Sequence, residues 1–143
     1  MSVKTKNSWK NQYTILEEAS KFHNKAREIF ASDDFFKRYQ CYQEVAVIDL
    51  CPDYGSSQHR FDWYLPFLNT VIELHGNQHY HLTNYGGSSH EHAVNEFREI
   101  QERDSMKKEA AIKSGLTYIE IPYKHYRNLS GATIKELIND QNR

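Results

Sequence analysis

Two short apolar runs, RFDWYLP (60–66) and TVIELHG (70–76), are separated only by Phe67, Leu68 and Asn69. A three-residue connection cannot carry a parallel crossover, so the two runs must pair antiparallel as neighbouring strands. Side chains alternate across a strand. Asp62 and Tyr64 therefore share one face, Val71, Glu73 and His75 share one face, and Ile72 and Leu74 take the other. A tight turn lets Asp62 and Glu73 lie on the same face of adjacent strands. Two ionised carboxylates buried side by side are costly unless a cation or a shared proton compensates them. A divalent ion is the usual compensation, because hard cations take carboxylate oxygens.

The other segments supply a frame for this pair. TILEEASKFHNKAREIF (14–30) has Ile15, Ala19, Phe22, Ala26 and Ile29 at helical spacing, with Thr14 and Glu17 set as a capping box. SDDFFKRY predicts a short helical turn, and YQEVAVIDL (42–50) predicts a strand ended by CPDYGSSQ. Residues 77–90, with TNYGGSSH, read as a loop; a long helix follows over roughly 90–114 and stops at Gly115. LTYIEIP is a fourth strand, and SGATIKELINDQ a last helix with Ser130 as N-cap. The order is α-β-β-β-α-β-α. It predicts an α/β fold with a central mixed sheet of about four strands flanked by helices. The 143 residues carry no linker, repeat or low-complexity stretch, so one domain over 1–143 is expected.

The long helix gives an independent indication. Ala93, Phe97, Ile100, Asp104 and Ala111 fall on one stripe at spacings of three, four and seven. Asp104 thus sits inside the face that should pack on the sheet, where it can converge with carboxylates from two strands. Each residue alone has an ordinary explanation: Asp62 as a solvated strand end, Glu73 on a half-exposed strand, Asp104 paired with Lys108 one turn on. Together those explanations require three separate coincidences. The dense histidines His75, His79, His81, His90 and His92 raise a zinc-stabilised interaction module as an alternative. None makes the helical i, i+4 pair of a metalloprotease, and neither cysteine is near.

No apolar run approaches the roughly 20 residues of a membrane span, and MSVKTKNSWK lacks the apolar core of a signal peptide. Cys41 and Cys51 have no metal-type spacing, so a reducing cytoplasm is the expected location. The net charge of −1 does not point to nucleic acid, yet an enzyme that collects acidic ligands can be neutral overall and keep a basic face.

An Asp, a short connection and then Glu-x-(basic) resembles the motif of the PD-(D/E)XK nuclease superfamily. Here it is Asp62, ten residues, then Glu73, Leu74 and His75. VIELHGNQHYH, ERDSMKKEAAIKSGL and LTYIEIPYK resemble successive segments of the very-short-patch repair endonucleases and their EDxHD group, which includes phage-associated homing endonucleases. The resemblance spans about residues 15–127. It departs from the repair enzymes in lacking their cysteine-containing zinc framework, and in having Glu73 where they have an apolar residue.

The resemblance implies a restriction-endonuclease-like core and a DNA endonuclease or nickase that uses Mg²⁺, with Mn²⁺ as a substitute. Carried over by position, the motif's Asp is Asp62, its His is His79 and its last Asp is Asp104. Leu74 would offer a backbone carbonyl to metal beside Asp62 and Glu73. The first Glu falls best on Glu28, with Glu17, Glu18 and Glu44 as rivals. His79 would accept a proton from water, Asp104 would orient it, and His75 would contact the phosphate; exchanging the two histidines fits the sequence nearly as well. Tyr85 in the glycine-rich loop, with Lys124 and Arg127 in YKHYR, would contact DNA. A monomer or weak homodimer without membrane contact is expected. The main alternative is a catalytically silent nucleic-acid-binding domain on the same fold.

Overall fold

The computed structural model describes residues 21–76 and 90–142. Helix α1 (Lys21–Ser32) leads through a 3₁₀ turn (Phe36–Arg38) into strand β1 (Tyr42–Ala46). A single helical turn, α2 (Val47–Leu50), and a loop precede β2 (Arg60–Leu65) and β3 (Thr70–His75). Helix α3 (His90–Lys113), β4 (Thr117–Pro122), a 3₁₀ segment (Tyr123–Asn128) and α4 (Gly131–Gln141) complete the chain. The sheet order is β1-β2-β3-β4; the first two junctions are antiparallel and β3–β4 is parallel. The mixed four-stranded α/β sheet expected from the sequence is thus present.

The β2–β3 connection forms as its length requires. Pro66–Leu68 make one 3₁₀ turn, and Asn69 reverses the chain in the left-handed region at φ 51°. The Asn69 side chain donates to the Gly115 carbonyl at 2.7 Å, tying the hairpin to the end of α3. Gly115 itself has φ 81°, the left-handed C-terminal stop that glycine adopts without a steric penalty. Ser130 caps α4 in a reciprocal box with Thr133.

Both faces of the sheet are covered. Trp63, Leu65, Ile72, Leu74, Ile119 and Ile121 pack on Phe22, Ala26 and Phe30 of α1 and on Ile134 and Ile138 of α4. On the other face Val71 and Tyr118 meet Ala111 of α3. Burial of these apolar surfaces, at roughly 25 cal/mol per Å², is the main term holding the layers together.

One element departs from expectation. YQEVAVIDL is not a single strand: pairing ends at Ala46 opposite Arg60, and Val47–Leu50 coil into a helical turn. That turn lets Val47 and Cys51 join the core under α3. A short apolar run supports strand and buried helix equally, and nothing in its periodicity separates them. The first half of the helix expected over 14–30, with Thr14, Ile15, Glu17 and Ala19, lies outside the described residues, as do residues 77–89 of the loop expected over 77–90.

Candidate metal centre

Four carboxylates stand at one level across the sheet. Glu73 of β3 is paired with Glu120 of β4. Asp62 is bracketed by Phe61 and Trp63, whose partners Val45 and Gln43 flank Glu44. Extending the Trp63–Ile72 register by one residue places Asp62 opposite Glu73. The row Glu44, Asp62, Glu73, Glu120 therefore takes one residue from each strand. Glu44 has φ 58°, a left-handed conformation that disfavours a residue with a Cβ.

At this level side chains act as acceptors where a ladder would use carbonyls. The Asp62 N–H donates to Glu73 Oε2 at 2.7 Å, and the Leu74 N–H donates to Asp62 Oδ2 at 2.7 Å. Helix α3 adds Asp104 and Lys107 from above. Lys107 is buried and pairs with Glu73 Oε1, while its Nζ also donates to the Arg60 carbonyl at 2.8 Å. His75, 2 % exposed, has Nε2 3.9 Å from Glu73 Oε1 and 3.8 Å from Asp104 Oδ1; its Nδ1 is 3.5 Å from Glu120 Oε2. One ligand atom each from Glu73, His75 and Asp104 lie within 4.8 Å of one another.

The surroundings divide the charges. Burial and the neighbouring Glu73 raise the Asp62 pKa well above the ordinary carboxylate range, against the Leu74 N–H and Lys107, which lower it. Burial also opposes a charge on Glu73, but His75, Lys107 and the Asp62 N–H outweigh it, and its pKa is lowered. Burial opposes protonation of His75, yet Glu120, Glu73 and Asp104 overcome it and push its pKa up to about 9. His75 is therefore a cation at neutral pH in the metal-free protein. Burial, then the acidic cluster, raises the Tyr118 pKa, and no hydrogen-bond partner reaches its buried hydroxyl among the described residues.

The structure brings together Asp62, Glu73, His75 and Asp104 as the sequence suggested. The stripe on α3 also holds, with Ala93 and Ala111 buried and Phe97, Ile100 and Asp104 partly so. Leu74 reaches the cluster through its N–H, which it gives to Asp62. Glu28 does not belong to the group. It is exposed on α1, on the rim of a cavity with Trp63 and Cys41, and α1 covers the sheet face opposite the cluster. Its rival Glu44 is the residue whose charge acts on Asp62 and Glu73. The distance that favoured Glu28 counts residues to the first strand but cannot tell which face a helix covers. Lys124 and Arg127 are exposed on the 3₁₀ segment that leaves β4 just after Pro122, the partner of His75. His79 and Tyr85 lie outside the described residues.

Three contributors went unremarked in the sequence. Lys107 continues the α3 stripe, three residues after Asp104 and four before Ala111, so its position was readable. Glu120 and Tyr118 share the face of Glu73 by strand alternation, with apolar Ile119 and Ile121 on the other. Lys108, the ordinary partner considered for Asp104, instead holds its Nζ 6.0 Å from the Tyr118 ring centroid.

Uncharacterized protein 094L of Frog virus 3 (isolate Goorha) is 33% identical to this chain over 87 residues, which is 61% of the chain and 52% of that protein. The chain thus spans about half the length of the curated relative it matches. No family model matches the sequence, and no solved structure matches it significantly.

Proposed function

We propose that this chain is a divalent-metal-dependent phosphodiesterase that cuts or nicks DNA. The observation that carries the reading is the convergence of Glu73 and His75 from β3 and Asp104 from α3 within 4.8 Å, beside a further, half-buried carboxylate, Asp62. A fold seldom gathers so many ionisable groups in its interior for stability alone, since each carries a desolvation cost.

The donor set fits a hard cation. Glu73, Asp104 and Asp62 offer oxygen to Mg²⁺ or Mn²⁺, and the buried Tyr118 hydroxyl offers a further polar group facing the same cluster. When bound, such an ion neutralises phosphate charge and makes water a better nucleophile. The residues divide the remaining work. His75, charged at neutral pH, is suited to hold a phosphate oxygen and poorly suited to take a proton. That favours His79, which follows β3 in the sequence, as the base. Lys124 and Arg127, exposed beside the end of β4, would take flanking phosphates. One such site cuts one strand, so a monomer would nick. No helix among the described residues is long and apolar enough to cross a membrane.

Incubating the protein with supercoiled plasmid in Mg²⁺, Mn²⁺ or EDTA tests the reading. Metal-dependent open circles are expected, and they should vanish with Asp62→Asn and Glu73→Gln. The second reading, a silent DNA-binding domain, is favoured by one observation: Lys107 offers Glu73 a compensating charge from within the protein. DNA retention on a gel with no nicking in any of the three conditions would decide for it.

A further inference from the structure

We propose that Lys107 is an internal stand-in for the metal: its ammonium occupies the carboxylate site in the metal-free protein and gives up Glu73 when a divalent cation binds. This inference rests on the metal-dependent reading above and concerns a residue outside the motif that suggested it.

The geometry is specific. Lys107 is 6 % exposed on the sheet-facing stripe of α3, one turn from Asp104. Its Nζ pairs with Glu73 Oε1, the oxygen of that carboxylate left over after Oε2 has taken the Asp62 N–H. It is also the Glu73 oxygen that approaches His75 Nε2, at 3.9 Å, in the group able to hold a metal. A cation entering among Glu73, His75 and Asp104 must therefore compete with an ammonium already attached there.

Three consequences follow from charge alone. Without metal, Lys107 compensates a cluster of Glu44, Asp62, Glu73, Asp104 and Glu120 that would otherwise repel itself. With metal, the ammonium becomes a like charge at close range, and its second bond, to the Arg60 carbonyl at 2.8 Å, gives it a place to stay after releasing Glu73. The affinity of the site is thereby held down by the protein itself. A flexible four-carbon stem with a point charge suits that exchange better than a planar guanidinium would.

The test is metal affinity in Lys107→Met, which keeps the apolar stem and removes the charge. Mn²⁺ titration by calorimetry at pH 8, where proton competition is reduced, should give a Kd at least tenfold tighter than wild type, while the melting temperature in EDTA falls. If the wild type binds Mn²⁺ and the variant binds equally or more weakly, Lys107 is a strut between α3 and β2 and the inference is wrong, although the metal reading stands. If neither protein binds metal, both fall together. Binding by the variant alone supports the inference. Should Lys107→Met fail to fold, the wild type answers directly: the Lys107 ammonium resonance, slowed in exchange by its ion pair, should be lost or strongly shifted on saturation with Mg²⁺. A resonance that stays unmoved at saturation overturns the exchange.

Discussion

Asp62 and Glu73 are joined by a hydrogen bond from the backbone N–H of the first to the side chain of the second, at 2.7 Å, and Asp62 returns the favour by accepting the N–H of the residue after Glu73. Each carboxylate thus secures the other's strand while repelling the other's charge. An amide at position 62 keeps an oxygen for the Leu74 N–H and removes the repulsion. Asp62→Asn should therefore leave the metal-free protein as stable as wild type or more stable by about 1 kcal/mol. Plasmid nicking should drop by three orders of magnitude or more. Urea unfolding in EDTA and a nicking assay on the same preparation check both parts. A large loss of stability would mean that the Asp62 charge supports the fold.

The His75 shift predicts how stability responds to pH. Its folded pKa, about 9, lies above the ordinary imidazole value of 6.5. The stabilisation is then complete below about pH 6.5 and is lost as pH rises through about 9. Asp62, also raised, works in the same direction. Metal-free protein should lose on the order of 3 kcal/mol of unfolding free energy across that window. His75→Gln should flatten the dependence, whatever its effect on the level. An unchanged slope in the variant would assign the titration elsewhere.

How far the sequence carried the site depended on which geometry was periodic. Strand alternation and the three-residue connection were enough to put Asp62 beside Glu73, and helical spacing was enough to turn Asp104 toward them. Glu28 was misplaced because the choice between α1 and β1 rests on which sheet face a helix covers, a tertiary fact with no local signature. Glu44 stood only among the rivals for a related reason: its φ of 58° could not be expected of a glutamate. The helical turn at Val47–Leu50 was hidden because its apolar run is compatible with either state. Lys107 was readable on the stripe, but a lysine there looks like a solvated residue until the carboxylate it meets is known.

A packing contact far from the cluster gives an independent check on the fold. A methyl at Gly131 would overlap the Asp33 carboxylate, which sits at the start of α4. That carboxylate is not free to swing, since Oδ2 accepts the N–H groups of Phe35 and Phe36 at 3.0 and 3.3 Å. Gly131→Ala should cost about 1–2 kcal/mol, the range for losing such a cap. In an Asp33→Ala background the overlap disappears, and the same change should be neutral or stabilising, because alanine is the better helix former by up to ~1 kcal/mol. A cost that persists in the double variant would show that Asp33 is not the obstruction.

The two histidines of the motif region can be told apart by the pH dependence of cleavage. A general base must be unprotonated, so His79, if it takes the proton from water, sets a limb on which single-turnover nicking rises with pH. His75 is held protonated by Glu120, Glu73 and Asp104, and a phosphate contact requires that proton. It should set the opposite limb, on which nicking falls as pH approaches about 9. A bound divalent cation would pull this second limb down by repulsion, so its displacement below 9 reports how close the two charges stand. His79→Ala should remove the rising limb and most of the rate. His75→Lys keeps a positive charge at the position and should retain measurable nicking, with the falling limb moved to higher pH. His75→Gln should lose the rate at every pH. The opposite pattern, a rising limb lost with His75→Lys and kept in His79→Ala, would exchange the two roles and make the residue beside Asp104 the base.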